Sequence, residues 1–121
     1  MATIIESPSK VKNLITDSLM IELLSNLGIS SLKPVQVQAI SKGLFFHQNI
    51  LICTPSGSGK TLVGIMAMAN ILLKGLGSAI YLVPYKALAA EKETQFKKIF
   101  QPNHISVKAI TGDTEENSVK P

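Results

Sequence analysis

At 121 residues the chain is the size of one domain or a piece of one, and a hydrophobic share of 45% is enough for a core, which excludes a disordered composition. Its twelve lysines against eight acids give a net charge of +4 without a single arginine, a balance that permits a polyanionic partner but does not demand one. The single cysteine, Cys53, excludes an internal disulfide framework.

The start of the chain has no apolar block of the kind a signal peptide needs, and the longest apolar stretch, 62–73, is too short to cross a bilayer. A soluble, cytoplasmic protein with no membrane partner is expected. The lead, through residue 15, reads as loose. A helix is expected from Thr16 or Asp17 to Leu27, with Leu19, Leu23 and Leu24 on one face and Gly28 as a left-handed C-terminal cap. Pro34 opens a second helix that ends near Gly43.

From Asn49 the pattern changes. Residues 50–54 form a short continuous apolar run, read as a strand buried on both faces, and Cys53 within it reads as a small core residue. A glycine-rich turn leads into a helix over 60–74, stopped by Gly75 and Gly77. A second buried strand is expected at 78–83, a helix at 85–100, and a third strand at 105–110 before a polar tail. Strands alternating with helices at these lengths predict an α/β fold with a parallel sheet flanked by helices. With only three strands and an open edge, the isolated chain is expected to be marginally stable or prone to associate.

The turn itself carries the chemistry. In Thr54-Pro55-Ser56-Gly57-Ser58-Gly59-Lys60-Thr61, the glycines remove side chains that would keep a phosphate away from the backbone amides. Lys60 can reach the outer phosphates, Thr61 can offer a hydroxyl to magnesium, and the following helix adds the positive end of its dipole. ATP and magnesium are therefore the expected ligands. The general pattern G-x-x-x-x-G-K-[ST] asks for glycine at position 54, where this chain has threonine.

That string resembles motif I of the superfamily 2 helicases, the DEAD/DExH-box group, which often carry Ala, Ser or Thr at its first position. Gly28-Ile29, Leu32, Pro34-Val35-Gln36 and Ala39-Ile40 resemble that family's Q motif. Val83-Pro84-Tyr85-Lys86-Ala87-Leu88 with Glu91-Lys92 resembles motif Ia, and Thr111-Gly112-Asp113 the short threonine–glycine motif that follows. The order and spacing are similar to the Ski-like branch, and within it to archaeal DNA-repair helicases, over 17–113. Departures are Ile65, where that branch often has an acid, and the lack of an aromatic residue between Asp17 and Gln36 to stack on adenine.

The resemblance implies a partial RecA-like P-loop NTPase domain: Q-motif helices over 16–48 and the front half of the first motor domain over 49–121. It implies that Gln36 reads the adenine edge, with residues 54–61 holding the nucleotide and Lys60 and Thr61 in the catalytic roles. It implies that Pro84, Tyr85, Lys86, Ala87, Thr111 and Gly112 touch the backbone of single-stranded nucleic acid, DNA in preference to RNA. The remainder of the helicase motor is the other partner. The family's D-E-x-H string and arginine finger do not occur in these residues, and Asp113 is a poor substitute because Lys108 and Gly112 break its lead-in. Hydrolysis is not expected from this chain alone. Two other readings stand beside this one: another P-loop nucleotide phosphotransferase, or a non-catalytic nucleic-acid-binding module whose glycine loop is only structural.

Overall fold

The computed structural model describes residues 9–112 and divides the chain into two compact units, one ending at Ala79 and one beginning at Ile80. In the first unit the lead is held from Ser9 onward. Lys10 and Ser31 form an isolated antiparallel bridge, flanked by hydrogen bonds from the Val11 amide to the Ser30 carbonyl (3.0 Å) and from the Leu32 amide to the Ser9 carbonyl (2.8 Å). One helical turn, α1 (Val11–Leu14), follows. Val11 and Ile15 are buried, so the expectation of a loose lead through residue 15 does not hold from Val11 on: two apolar anchors outweigh the polar sequence before them.

Helix α2 (Ser18–Asn26) starts because the Asp17 carboxylate accepts the Leu19 amide at 3.0 Å, a cap that stabilises a helix by about 1 kcal/mol. Its buried residues are Met20, Leu23 and Leu24; Leu19, expected on that face, is exposed. The helix stops at Gly28 (φ +75°), where the Gly28 amide bonds the Ser25 carbonyl and the Ile29 amide reaches back to the Leu24 carbonyl, both at 2.9 Å. Helix α3 (Pro34–Ser41) has Pro34 in its first turn and ends two residues short of the expected Gly43. Gly43 (φ +98°) instead turns the chain into a 3-10 segment, Leu44–Phe46.

Helix α4 (Lys60–Leu72) buries Val63, Ile65, Met66, Ala69 and Asn70, a three-and-four spacing that lines one side. That side packs on α2, α3 and the 3-10 segment. Met20, Leu24 and Met66 are almost wholly removed from water and form the centre of this unit. The buried polar residue Asn70 is satisfied at both ends: its amide nitrogen donates to the Phe45 carbonyl at 3.3 Å and its oxygen accepts from Lys74 at 2.9 Å. Lys74 in turn pairs with Asp17 at 3.2 Å, tying the end of α4 to the start of α2.

The second unit is organised by α5 (Lys86–Phe100), whose buried residues are Phe96, Ile99 and Phe100, and which ends in a 3-10 turn, Gln101–Asn103. Tyr81 meets Phe96 edge-on at 5.0 Å, and Phe96 meets Phe100 edge-on at 6.4 Å. The Glu93 carboxylate accepts the backbone amide of Ala109, which fastens the extended segment after α5 to its side.

The expected parallel sheet requires a correction. Among the described residues no strand ladder forms; 50–54, 78–83 and 105–110 lack the paired backbone bonds that define strands. A strand buried on both faces needs hydrogen-bonded neighbours and a layer over each face. In the first unit 50–54 has no such neighbour, and its side chains alternate: Ile50, Ile52 and Thr54 are half-buried, whereas Leu51 is 89% exposed. Cys53 lies on the open side too, so it is an exposed free thiol and not the core residue expected from the apolar run. In the second unit Ile80 and Leu82 are 84% and 87% exposed, while Tyr81, less exposed, rests its ring against Phe96. Both of its extended segments are fastened to α5 by side chains and no ladder bond joins them. The two-residue alternation of strands is present without the ladder. No helix among the described residues is long and apolar enough to cross a membrane.

Candidate nucleotide-binding site

The glycine-rich turn is a sharp bend into α4. Gly57 (φ +81°) and Gly59 (φ +97°) both take left-handed backbone, a conformation that costs other residues roughly 1–2 kcal/mol. Gly59 is the residue before the helix, and Lys60 and Thr61 are its first two helical positions. The first-turn amides of α4 thus open onto the bend, and the dipole adds positive potential where a phosphate would sit.

The loop is tied by its own side chains. Lys60 folds back, its ammonium group donating to the Thr54 carbonyl at 2.7 Å. Thr54 and Ser58 share a hydroxyl–hydroxyl bond of 2.6 Å across the bend. Threonine at the position where other P-loops have glycine therefore has a definite structural part: it joins the two ends of the loop. Pro55, Ser56 and Gly57 are exposed at its tip, and Thr61 is half-buried in the first turn of α4.

Gln36, 23 residues earlier in sequence, is brought onto this loop. It is 3% exposed, its amide nitrogen donates to the Gly59 carbonyl at 3.1 Å, and its oxygen accepts the Lys33 backbone amide at 2.7 Å. The same side chain thus closes the first turn of α3 and holds the residue that opens α4.

Lys33 is the residue that sequence reasoning missed. It precedes Pro34, and its ammonium group donates to the Gly57 carbonyl at 3.2 Å. Its stem lies beside Gly59: a Cβ added there would stand 3.1 Å from Lys33 Cδ. The one signal in the sequence is spacing, since Lys33 and Gln36 stand where a helix N-cap and its third residue pair.

The residues expected on the nucleic-acid track lie in the second unit. Pro84, Tyr85, Lys86 and Ala87 are all exposed where the chain enters α5, with Lys86 as its first helical residue. Thr111 is half-buried and Gly112 exposed; Asp113 lies outside the described residues.

The family profile described as DEAD/DEAH box helicase matches residues 33–120. The chain belongs to that family. Membership of the DEAD/DEAH box helicases brings with it the RecA-like α/β fold class, whose helices are formed here and whose strand segments run extended without a ladder. The chain is 44% identical over 104 residues to the ATP-dependent DNA helicase Hel308 of Pyrococcus horikoshii, covering 86% of this chain and 14% of that one. To Hel308 of Thermococcus kodakarensis it is 40% identical over 104 residues, 86% of this chain and 9% of the relative. To Hel308 of Methanocella arvoryzae it is 44% identical over 90 residues, 71% and 12%. The chain therefore spans about a seventh or less of the relatives it matches. As a DEAD/DEAH box member it shares the resemblance read from motif I, and those relatives carry that resemblance to the archaeal DNA helicases.

Proposed function

We propose that this chain supplies the nucleotide grip of an ATP-dependent DNA helicase motor, with residues 54–61 enclosing the phosphates of ATP. The observation that carries the reading is the bend at Gly57 and Gly59, which delivers Lys60 to the loop and opens the first turn of α4 onto it. Lys60 is held by the Thr54 carbonyl, a neutral acceptor; an anion would offer it a stronger, charge-assisted partner. Gln36 couples α3 to the same loop and is the candidate contact to the base.

Thr61 offers a hydroxyl in the first turn of α4, and a single hydroxyl fits a magnesium ion whose other ligands are phosphate oxygens and water. Bound there, magnesium would neutralise phosphate charge as a Lewis acid. Exposed residues 84–87, with Thr111 and Gly112, form the proposed contact to a single DNA strand. Such contacts are to the sugar–phosphate backbone and are independent of base sequence.

Titration of fluorescent ATP against the wild-type chain and Lys60→Ala tests the grip. Loss of binding by about tenfold or more in the variant is expected from removal of a charge-assisted phosphate contact. Equal affinity of both proteins, or binding by neither, would leave the loop a structural turn.

A further inference from the structure

From Leu23 through Ala90 the sequence has no aspartate or glutamate, and this stretch contains the whole glycine-rich loop. Two lysines from separate elements nevertheless converge on it. Lys60 donates to the carbonyl of Thr54 at 2.7 Å and Lys33 donates to the carbonyl of Gly57 at 3.2 Å. Neither arrangement places a carboxylate on the ammonium group. Two cations brought to one short loop repel each other, and the carbonyl dipoles that receive them offset this only in part. An occupant carrying several negative charges would relieve both.

The Lys33 side chain is exposed, and its bond to the Gly57 carbonyl, at 3.2 Å, is open to solvent, whereas its backbone is well fixed. The Lys33 backbone amide is bonded to Gln36, whose own amide is bonded to Gly59, and Pro34 fixes the chain direction directly after it. The ammonium therefore swings on a flexible stem from a rigid base beside Gly59 and can leave the Gly57 carbonyl without disturbing either helix. We infer that Lys33 is a second phosphate-contacting cation of the nucleotide site, recognising the charge of a nucleoside polyphosphate alongside Lys60. The inference rests on the proposed ATP site and adds to it a residue outside the glycine-rich string.

The test compares ATP, ADP and adenosine binding to wild type, Lys33→Ala, Lys33→Gln and Lys33→Arg, with Lys60→Ala alongside. Glutamine keeps an N–H donor for the Gly57 carbonyl but carries no charge, whereas arginine keeps the charge. Lys33→Ala and Lys33→Gln are both expected to weaken ATP and ADP by about tenfold while adenosine is unchanged, and Lys33→Arg to stay close to wild type. If Lys33→Gln binds ATP like wild type, Lys33 only props the loop and the inference is overturned. The same follows if Lys33→Ala binds ATP unchanged or more tightly while Lys60→Ala is impaired. Should wild type and Lys60→Ala fail alike to bind ATP, the nucleotide site itself is wrong and the role of Lys33 falls with it.

Discussion

The amide nitrogen of Gln36 lies 3.1 Å from the carbonyl oxygen of Gly59, and a Cβ placed on Gly59 would stand 2.5 Å from that nitrogen. Gln36 cannot step aside cheaply, since it is buried and its oxygen is held by the Lys33 amide. Gly59 also has φ +97°, which alanine adopts only with strain. Gly59→Ala is therefore expected to destabilise the first unit by about 2–3 kcal/mol in urea unfolding and to abolish ATP binding. Gly57→Ala has the same left-handed strain but nothing within 4 Å of its Cβ, so it should cost only about 1–2 kcal/mol.

Asn70 is the buried polar residue of α4, and both of its ends are used: by the Phe45 carbonyl and by Lys74. Asn70→Ala leaves the carbonyl without this donor and the ammonium without this acceptor. A loss of about 1–3 kcal/mol is expected in chemical unfolding. Asn70→Leu, which fills the space without restoring either bond, should not recover it.

The helices and the loop were legible because each rests on local chemistry. Asp17 before α2, Gly28 after it, Pro34 at the start of α3 and the paired glycines before Lys60 act within a few residues of themselves. The strand ladder does not follow from the sequence, because an apolar run such as 50–54 reports side-chain preference and not the presence of a neighbour to complete the ladder. Cys53 is exposed for the same reason: without a neighbour on both faces of the run, the cysteine falls on the open one. The spacing of Lys33 and Gln36 signals their pairing at the start of α3, but their attachment to the loop is not legible, because it depends on how α3 packs against α4.

Asp17 predicts a pH dependence. Partial burial pushes its carboxyl up, but the hydrogen bond from Lys74, the amides of Leu19 and Met20, and the charge of Lys74 together outweigh this and hold it below its ordinary value. A carboxyl lowered in the folded state contributes stability that is present above its unfolded pKa and lost as pH falls through the folded one. Asn at position 17 keeps the cap but not the charge. Asp17→Asn should thus be less stable than wild type by about 0.5–1 kcal/mol near neutral pH, and the gap should close as pH falls through the lowered range of the folded carboxyl. A gap that persists unchanged in acid would show that Lys74 does not use the charge.

Lys86 bears on the proposed nucleic-acid contact. It is the first residue of α5, next to exposed Pro84 and Tyr85. A cation that neutralises one phosphate releases counterions, so Lys86→Ala should weaken single-strand binding and reduce the salt slope by about 0.7. The effect should be equal for unrelated base sequences. An unchanged slope with unchanged affinity would remove Lys86 from the track.

Glu93 joins the second unit across 16 residues. The Ala109 amide, above all, holds its carboxyl below the usual range; burial pushes it up, and the charge and hydrogen bond of Lys97 at 3.4 Å lower it further. Because this bond is what fastens 105–110 to α5, the Ala109 amide should exchange with solvent slowly in wild type. In Glu93→Ala it should exchange faster by about tenfold, with Glu93→Gln between the two because its carbonyl still accepts. The protection should also fade in wild type as pH falls through the lowered carboxyl range, after correction for intrinsic exchange, since a protonated acid is the weaker acceptor. Equal protection in all three proteins would mean that Glu93 is not what fastens the segment to α5.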